Sequence, residues 1–433
     1  MVESWGRCHN FNHEVTAPYY LSDIDFFYNE SAFTTFYGQG RSYGDVALNN
    51  GEHVLDTHFL SRFQNFDWHN GILRAEAGVT LDQILQLIIP MGWFLPVTPG
   101  SKFVSLGGAV ANDVHGKNHH LTGSLGAHVL QIGLRRTSGD RLVLSPQKNS
   151  ELFNLTISGL GLTGLIEWVE IKLMPINSSM MEVENIPYYS LDEYFELAKE
   201  SKDWQYSVAW IDCFASNDQM GRGIFTRAKH SSKKSELKVH DNSKQIVWPV
   251  EMPNGVLNRV TISLFNTLYR SRPAARFRGP QFYNQFFYPL DKIKGWNKLY
   301  GKKGFYQHQC IIPKQSARDA MKELLKYINE SNNGSFLAVM KDHGPEHSPG
   351  LNSFCMEGTS LALDFSNKEN STIQLLERLN DIVNQYKGRI YPAKDSMMSS
   401  SIFQQGFPNW IELEKVRDPG VNSSFWLRVT GDS

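Results

Sequence analysis

Residues 99–128, PGSKFVSLGGAVANDVHGKNHHLTGSLGAH, decide how the rest of the chain is read. These thirty residues hold six glycines and four histidines in a frame of small side chains. Ser105 stands where an N-cap belongs, so Gly107, Gly108, Ala109 and Ala111 fall in the first turns of a helix. A backbone without bulky side chains lets a large flat ligand approach closely, and the unpaired N–H groups at a helix start suit an anion. The run His115-Gly-Lys-Asn-His-His120 then sets ionisable groups beside that surface. A glycine-rich loop with solvated histidines is the plainer reading. His115 and His119, four apart, also suit zinc, but no cysteine or carboxylate stands at ligand spacing from them. A cofactor site ranks first and no metal is expected.

Two further glycine groups flank this stretch. Upstream, YGQGRSYGD (Tyr37 to Asp45) places Gly38, Gly40 and Gly44 where turns with positive φ are possible, with Arg41 available to a phosphate. It does not open a helix in the GxGxxG manner, so it is not a Rossmann fingerprint. Downstream, SGLGLTGLIEWVEIKL holds Gly159, Gly161 and Gly164 ahead of a strand that alternates through Ile166, Trp168 and Ile171. Tight packing explains such glycines as readily as backbone pressed against a cofactor. Between these groups, Thr80-Leu-Asp-Gln83 is a capping box with Leu81, Ile84, Leu85 and Ile88 on one face. Val129–Leu134 and Arg141–Leu144 flank the turn Thr137-Ser-Gly-Asp140 as a hairpin.

The whole chain bounds these readings. Its 433 residues suffice for two or three domains with a full core. Hydrophobic residues make up 41% and charged residues 20%, the balance of a soluble globular protein. A net charge of -1 gives no global attraction to nucleic acid. Four cysteines far apart, with no CxxC pair, disfavour a disulfide scaffold or a zinc ribbon and make buried free thiols the default. The N-terminus has no apolar h-region, so no signal peptide is expected. The most apolar run, Ile84 to Val97, is too short and too interrupted to span a membrane.

The texture changes after Met174-Pro175-Ile176. Ser190 caps a helix, and Gln205–Phe214, Gln281–Tyr288, Phe305–Ile312, Phe336–Lys341 and Ser360–Phe365 read as strands. In Phe305–Ile312, Gln307 and Gln309 share one face, which implies a polar pocket wall. Ser316 begins a helix with Ala320, Met321, Leu324, Leu325 and Ile328 inward. Ser371-Thr-Ile-Gln374 opens another, with Leu375, Leu376, Leu379 and Val383 inward and Gly388 at its close. Helices on one face of an antiparallel sheet are the expectation, an α+β class. Segment 228–280 carries ten Lys or Arg against three Asp or Glu. Arg270, Arg272, Arg276 and Arg278 stand beside Leu264, Phe265, Leu268 and Tyr269, a pattern for a phosphate or anionic lipid surface.

Taken together, GQGRSYGD, TPGSKFVSLGGAVANDVHGKNHH, GSLGAH and GLGLTGLIE resemble the PCMH-type, vanillyl-alcohol-oxidase-type flavoproteins. HGKNHH together with YPAKDS (Tyr391 to Ser396) narrows the resemblance to the decaprenylphosphoryl-ribose oxidase family. Trp5-Gly6-Arg7, AWID at Ala209 to Asp212, PNG at Pro253 to Gly255, YPLD at Tyr288 to Asp291 and WNKLYGKKGFYQHQ at Trp296 to Gln309 extend it over nearly the whole chain. The resemblance implies a two-domain fold: an FAD-binding domain over residues 1–175, an antiparallel-sheet substrate domain over 176–388, and a return to the FAD site over 389–433. It implies non-covalent FAD held by Gly38, Gln39, Gly40, Arg41, Ser42, Tyr43, Gly44, Pro99, Gly100, Gly107, Gly108, Ala109, Asn112, Asp113, His115, Gly116, Asn118 and His119. Gly123, Ser124, Gly159, Gly161, Gly164, Ile166 and Tyr391 would complete that set. Lys394, Lys117, Gln309, Tyr391 and His115 would surround the reacting atoms. Trp210, Phe287, Gln307, Lys341 and Ser360 would join Lys117, Gln309 and Lys394 around the substrate. Three positions depart from the family: its inhibitor-reactive cysteine falls on Ala362, the neighbouring asparagine on Ser360, and a pocket tyrosine on Phe287.

The implied activity is FAD-dependent oxidation of the C2′ hydroxyl of a polyprenylphosphoryl pentose, the first half of a 2′-epimerisation that supplies cell-wall arabinan. A keto-reductase partner of the short-chain dehydrogenase type, a cytoplasmic location and peripheral attachment to the inner membrane face go with it, and no nucleic-acid partner. Two alternatives stand beside this: a soluble aldonolactone or alditol oxidase using O2, and a flavin- or lipid-binding protein without turnover. The basic, partly apolar segment favours the first reading over the soluble oxidase. Lysines clustered at a flavin ring argue against a mere binder.

Overall fold

The computed structural model describes residues 2–26, 32–253 and 255–431. Asn254, in the middle of the Pro253–Gly255 motif, lies outside the described residues. Residues up to about 175 build two main sheets and a two-strand ribbon of Trp93–Phe94 with Met174–Pro175. A parallel sheet joins Glu14–Thr16, His53–Asp56 and Thr34–Tyr37 in that order. An antiparallel sheet runs Phe63–Asp67, Ile72–Glu76, Leu165–Lys172, Val129–Arg135, Arg141–Leu144. The capping box at Thr80 forms, and Leu81, Ile84, Leu85 and Ile88 of the Leu81–Ile88 helix pack with Leu73, Val169 and Ile171. Ser105 caps the Leu106–Ala111 helix by accepting from the Gly108 N–H. Its small residues allow a close approach, since a Cβ on Gly107 would lie 2.6 Å from that of Ala77.

Residues 180–390 form an eight-stranded antiparallel sheet. Its order is Arg278–Phe282, Met180–Tyr188, Gly223–His230, Tyr206–Ile211, Ala338–His343, Gly358–Ser366, Phe305–Pro313, Arg389–Ile390. The Ala317–Glu330 and Asn370–Gln385 helices cover one face. Their Leu324, Leu325, Leu375 and Leu379 share a core with Tyr306, Cys310 and Ile312 of the neighbouring strand. Alternation turns Gln307 and Gln309 to the opposite, uncovered face.

Three local readings are corrected. The run 281–288 is not one strand: the edge strand ends at Phe282 and Tyr283–Phe287 is a helix. Tyr283, Phe286 and Phe287 sit at helical spacing and are all buried, so the aromatic run fills a core by turning once rather than by extending. Ser371 caps nothing, because the helix already starts at Asn370 after Glu369, whose φ is 57°. That helix closes through Lys387, with φ 55°, rather than through Gly388.

After Ile390 the chain crosses back toward the first two sheets. Val421 bridges to Thr34, and Arg428 binds Asp45 at 2.8 Å and Asp395 at 3.0 Å. This return ties the C-terminal segment to Thr34 and Asp45 of the N-terminal half.

Candidate active site

A cavity of about 850 Å³ lies between the glycine turns of the N-terminal half and the uncovered face of the eight-stranded sheet. That volume is toward the upper end of the roughly 300–1,000 Å³ of small-molecule sites. One wall is backbone: Gly38 to Tyr43, Pro99 to Ser101, Gly107 to Ala109, and Gly161, Gly164 and Ile166. The other wall is made of strand side chains. Gln307 pairs with Asp364 and Gln309 with Ala362, so the alternation that faces the glutamines to the cavity brings Asp364 with them. Lys341 enters from the next strand, and Tyr391 and Lys394 from the return.

Charge is concentrated at this sheet end of the cavity. Lys341 Nζ lies 3.1 Å from Nδ1 of buried His115, and the Gln309 amide lies 2.8 Å from its Nε2. A neutral imidazole accepts at one nitrogen and donates from the other. The atom facing Nε2 is the Gln309 amide nitrogen, which donates to it, so the neutral ring carries its proton on Nδ1. Burial and the nearby Lys341 hold His115 well below the usual imidazole range, in that neutral state. Burial brings Lys341 down to about 8. Burial likewise lowers Lys394 to about 7, with Asp364 opposing and Lys341 assisting. Its ammonium sits 4.0 Å from the centre of the Tyr43 ring. Burial raises the Asp364 carboxyl to about 7 although Gln307 donates to it at 2.5 Å. A proton acceptor and a cation can therefore coexist here near neutral pH.

Several expected contacts with the cavity are not made. Lys117 does not line it: its ammonium donates to the Phe286 and Phe287 carbonyls and lies 4.4 Å from the Phe286 ring centre. Trp210 donates to the Phe336 carbonyl and packs on Tyr269. Phe287 is buried among Phe94, Tyr206 and Phe286. Ser360 pairs with His343. Asp113 is a structural acceptor for Ser124, Ser353 and the Gly126 N–H, which also takes Ser124 out of the cavity. Asn118 donates to the Pro96 carbonyl, and His119 packs against His343. Gly44, Gly116 and Gly159 serve backbone packing: a Cβ would meet Asp395 O at 1.7 Å, Thr98 O at 3.0 Å and Leu155 O at 2.1 Å respectively. Gly123 takes φ 70° in the turn before Ser124.

Gln39, Arg41, Ser42, Asn112 and the rest of the expected set do line the cavity. Asp364 is the functional group that the sequence reading missed. Its signal was available in SLALDF, where a lone carboxylate breaks an apolar strand on the face shared with Ser360 and Ala362. Trp248, Lys294 and Lys298 also reach the cavity, from a two-strand ribbon and the Trp296–Tyr300 turn that follows it.

The backbone wall suits a large group rich in acceptors and donors. A Cβ on Gly100 would meet nothing within 4 Å, so the glycine leaves open space toward the cavity. Gly161 and Gly164 hold φ of 81° and 129°, conformations that present bare backbone. Asn112 Oδ1 is buried without a hydrogen-bond partner among the described residues.

Comparison with known proteins accounts for that wall. Residues 24–145 match the FAD binding domain family. Over 405 residues the chain is 33% identical to decaprenylphosphoryl-beta-D-ribose oxidase of Mycolicibacterium smegmatis, covering 90% of this chain and 87% of the relative. The chain belongs to the decaprenylphosphoryl-ribose oxidase family. An uncharacterized protein of Streptomyces coelicolor is 27% identical over 79% of this chain and 96% of its own length. L-Gulonolactone oxidase of Scyliorhinus torazame is 28% identical over 32% of this chain and 31% of its own. As a member of this family, the protein is an FAD-dependent oxidoreductase acting on CH–OH groups, on a two-domain α+β flavoprotein fold. Among the described residues, no helix is long and apolar enough to cross a membrane.

Proposed function

We propose that the protein oxidises the C2′ hydroxyl of a polyprenylphosphoryl pentose to a keto-sugar, the first half of a 2′-epimerisation in the synthesis of cell-wall arabinan precursors. The observation that carries this reading is the likeness, over 90% of the chain, to an oxidase of decaprenylphosphoryl ribose, joined to a cavity whose sheet end gathers Lys394, Lys341, Asp364 and Gln309. Gly38 to Tyr43, Pro99, Gly100, Gly107 to Ala109, Asn112, Gly161, Gly164 and Ile166 would hold FAD. When bound, it supplies the hydride acceptor. The chain must orient the carbinol and take its proton. Gln309 and Tyr391 orient: the first is fixed by His115, the second donates to the Asn112 carbonyl at 2.9 Å. Lys394, lowered to about 7, takes the hydroxyl proton, while Lys341 stays the more basic cation and offsets negative charge on the substrate.

The positive segment supports a peripheral membrane location on the cytoplasmic face. Val260, Leu264 and Leu268 form an exposed apolar stripe on the Arg259–Ser271 helix, beside exposed Arg272, Arg276 and Arg278. An anionic bilayer complements both features. The keto product calls for a reductase of the short-chain dehydrogenase type to complete epimerisation. The alternative, a soluble aldonolactone oxidase, draws on the shorter likeness to L-gulonolactone oxidase. Anaerobic mixing separates the readings: polyprenylphosphoryl ribose should bleach the flavin at a rate that free aldonolactones do not approach. Faster bleaching by a free lactone favours the alternative, and no bleaching by any sugar favours a binding protein.

A further inference from the structure

We propose that His119, His343 and Cys355, behind the Lys341 wall of the cavity, form a binding site for a thiophilic d10 cation, Zn2+ or Cu+. The three come from separate segments: His119 opens the His119–Thr122 turn, His343 ends the Ala338–His343 strand, and Cys355 lies in the connection before Gly358. Their exposures are 1%, 4% and 9%. A ring nitrogen of each histidine and the Cys355 Sγ all lie within 4.8 Å of one another. Metal bonds of about 2.0–2.3 Å at tetrahedral angles need roughly 3.5 Å between ligand atoms. Side-chain shifts of about one ångström therefore close the site.

The buried nitrogens call for a partner. Neither ring nitrogen of His119 has a hydrogen-bond partner among the described residues, nor does Nδ1 of His343. Each such buried group is destabilising if it stays unsatisfied. Neutral imidazole is the form that binds a metal, and burial favours it here. His343 Nε2 lies 3.0 Å from Ser360 Oγ. That bond places the N–H on Nε2 and leaves the Nδ1 lone pair for the metal, the usual support for a histidine ligand. Burial and the Asp113 carboxylate push the Cys355 thiol well up, with Lys341, Ser353 and Arg389 opposing them, so the metal itself must displace the thiol proton. On binding, the thiol proton leaves to solvent and the sulfur lone pair makes the metal bond. Two imidazoles and one thiolate match the softness of Zn2+ and Cu+ and not that of Ca2+ or Mg2+. The site uses His119 but not His115, which Lys341 and Gln309 already occupy. Its ring is 4.8 Å from His343, so a cation would brace the back of the cavity wall.

The test is metal binding by the FAD-loaded protein. After chelator treatment, it is titrated with Zn2+ and, anaerobically, with Cu+, and bound metal is measured by mass spectrometry after gel filtration. One equivalent per chain of either ion is expected, and the two arms identify which. Cys355→Ser and His119→Gln should each weaken binding at least roughly tenfold while FAD content and far-UV circular dichroism stay unchanged. Co2+ in place of the native ion should give a thiolate charge-transfer band that Cys355→Ser abolishes. Substoichiometric binding of both ions, or variants that bind as tightly as the parent, would overturn the proposal and leave the nitrogens to ordered water.

Discussion

Gln307 donates a 2.5 Å hydrogen bond to Asp364 across two paired strands, and this holds an acidic side chain at the same end of the cavity as Lys394. The carboxyl opposes the burial that lowers Lys394. Replacing it with Asn keeps the hydrogen bond and removes the charge. Asp364→Asn should therefore lower the Lys394 pKa further and move the rising limb of the pH profile for flavin reduction to lower pH. The sign follows from the protonated lysine losing its counter-charge. Stopped-flow reduction across pH 5.5 to 9 checks it; a shift to higher pH contradicts it.

FAD should be held without a covalent bond. The residue following the Gly38–Gly40 turn is Arg41, whose guanidinium donates to the Phe103 carbonyl and stacks on Trp5. His115 has both ring nitrogens engaged. Acid precipitation should release all the flavin to the supernatant, and yellow colour retained in a washed pellet would refute this.

Asp113 should matter for stability rather than for cofactor contact. It stands at φ 41° with Ser124, Ser353 and the Gly126 N–H donating to it. Asp113→Ala leaves three buried donors without an acceptor and should cost about 3 kcal/mol. A drop of several degrees in Tm is expected by calorimetry. An unchanged Tm would show that the three donors find other partners.

Much of the fold was legible because its signals are local. The Thr80 capping box, the Ser105 cap and the hairpin around Gly139 need only neighbouring residues to act. The Gln307 and Gln309 face was legible from alternation alone. Asp364 was within reach of the same rule, since the strand register that follows from alternation sets it beside Gln307. Lys117 and Phe287 were not legible: a helix at Tyr283–Phe287 puts its carbonyls where they capture the Lys117 ammonium. That contact spans 169 residues, and nothing in HGKNHH signals it. Asp113 and Ser124 look like cofactor residues because they sit among glycines, yet long-range packing against Ser353 claims them.

The membrane reading gives a salt-dependent expectation. Each basic side chain near an anionic surface contributes about 1 kcal/mol at low ionic strength. Arg270 is half-buried, with its guanidinium over the Tyr189 ring, so exposed Arg272, Arg276 and Arg278 should carry the attraction. Co-sedimentation with anionic liposomes should fall steeply with salt. It should fall further when these three become Ala and Leu264 and Leu268 become Ser. Equal sedimentation of that variant would rule out this face.

The central claim is that Lys394 takes the proton of the substrate hydroxyl, and Lys394→Ala tests it most directly. The side chain lies against Tyr43 and forms no hydrogen bond within the described residues that holds the backbone wall, so the variant should keep its FAD. Anaerobic stopped-flow with polyprenylphosphoryl ribose should show flavin reduction slowed by about 100-fold or more, the scale of a lost general base. The limb of the pH profile near 7 should vanish with it. Reduction at the parent rate, with the pH 7 limb intact, would contradict the account.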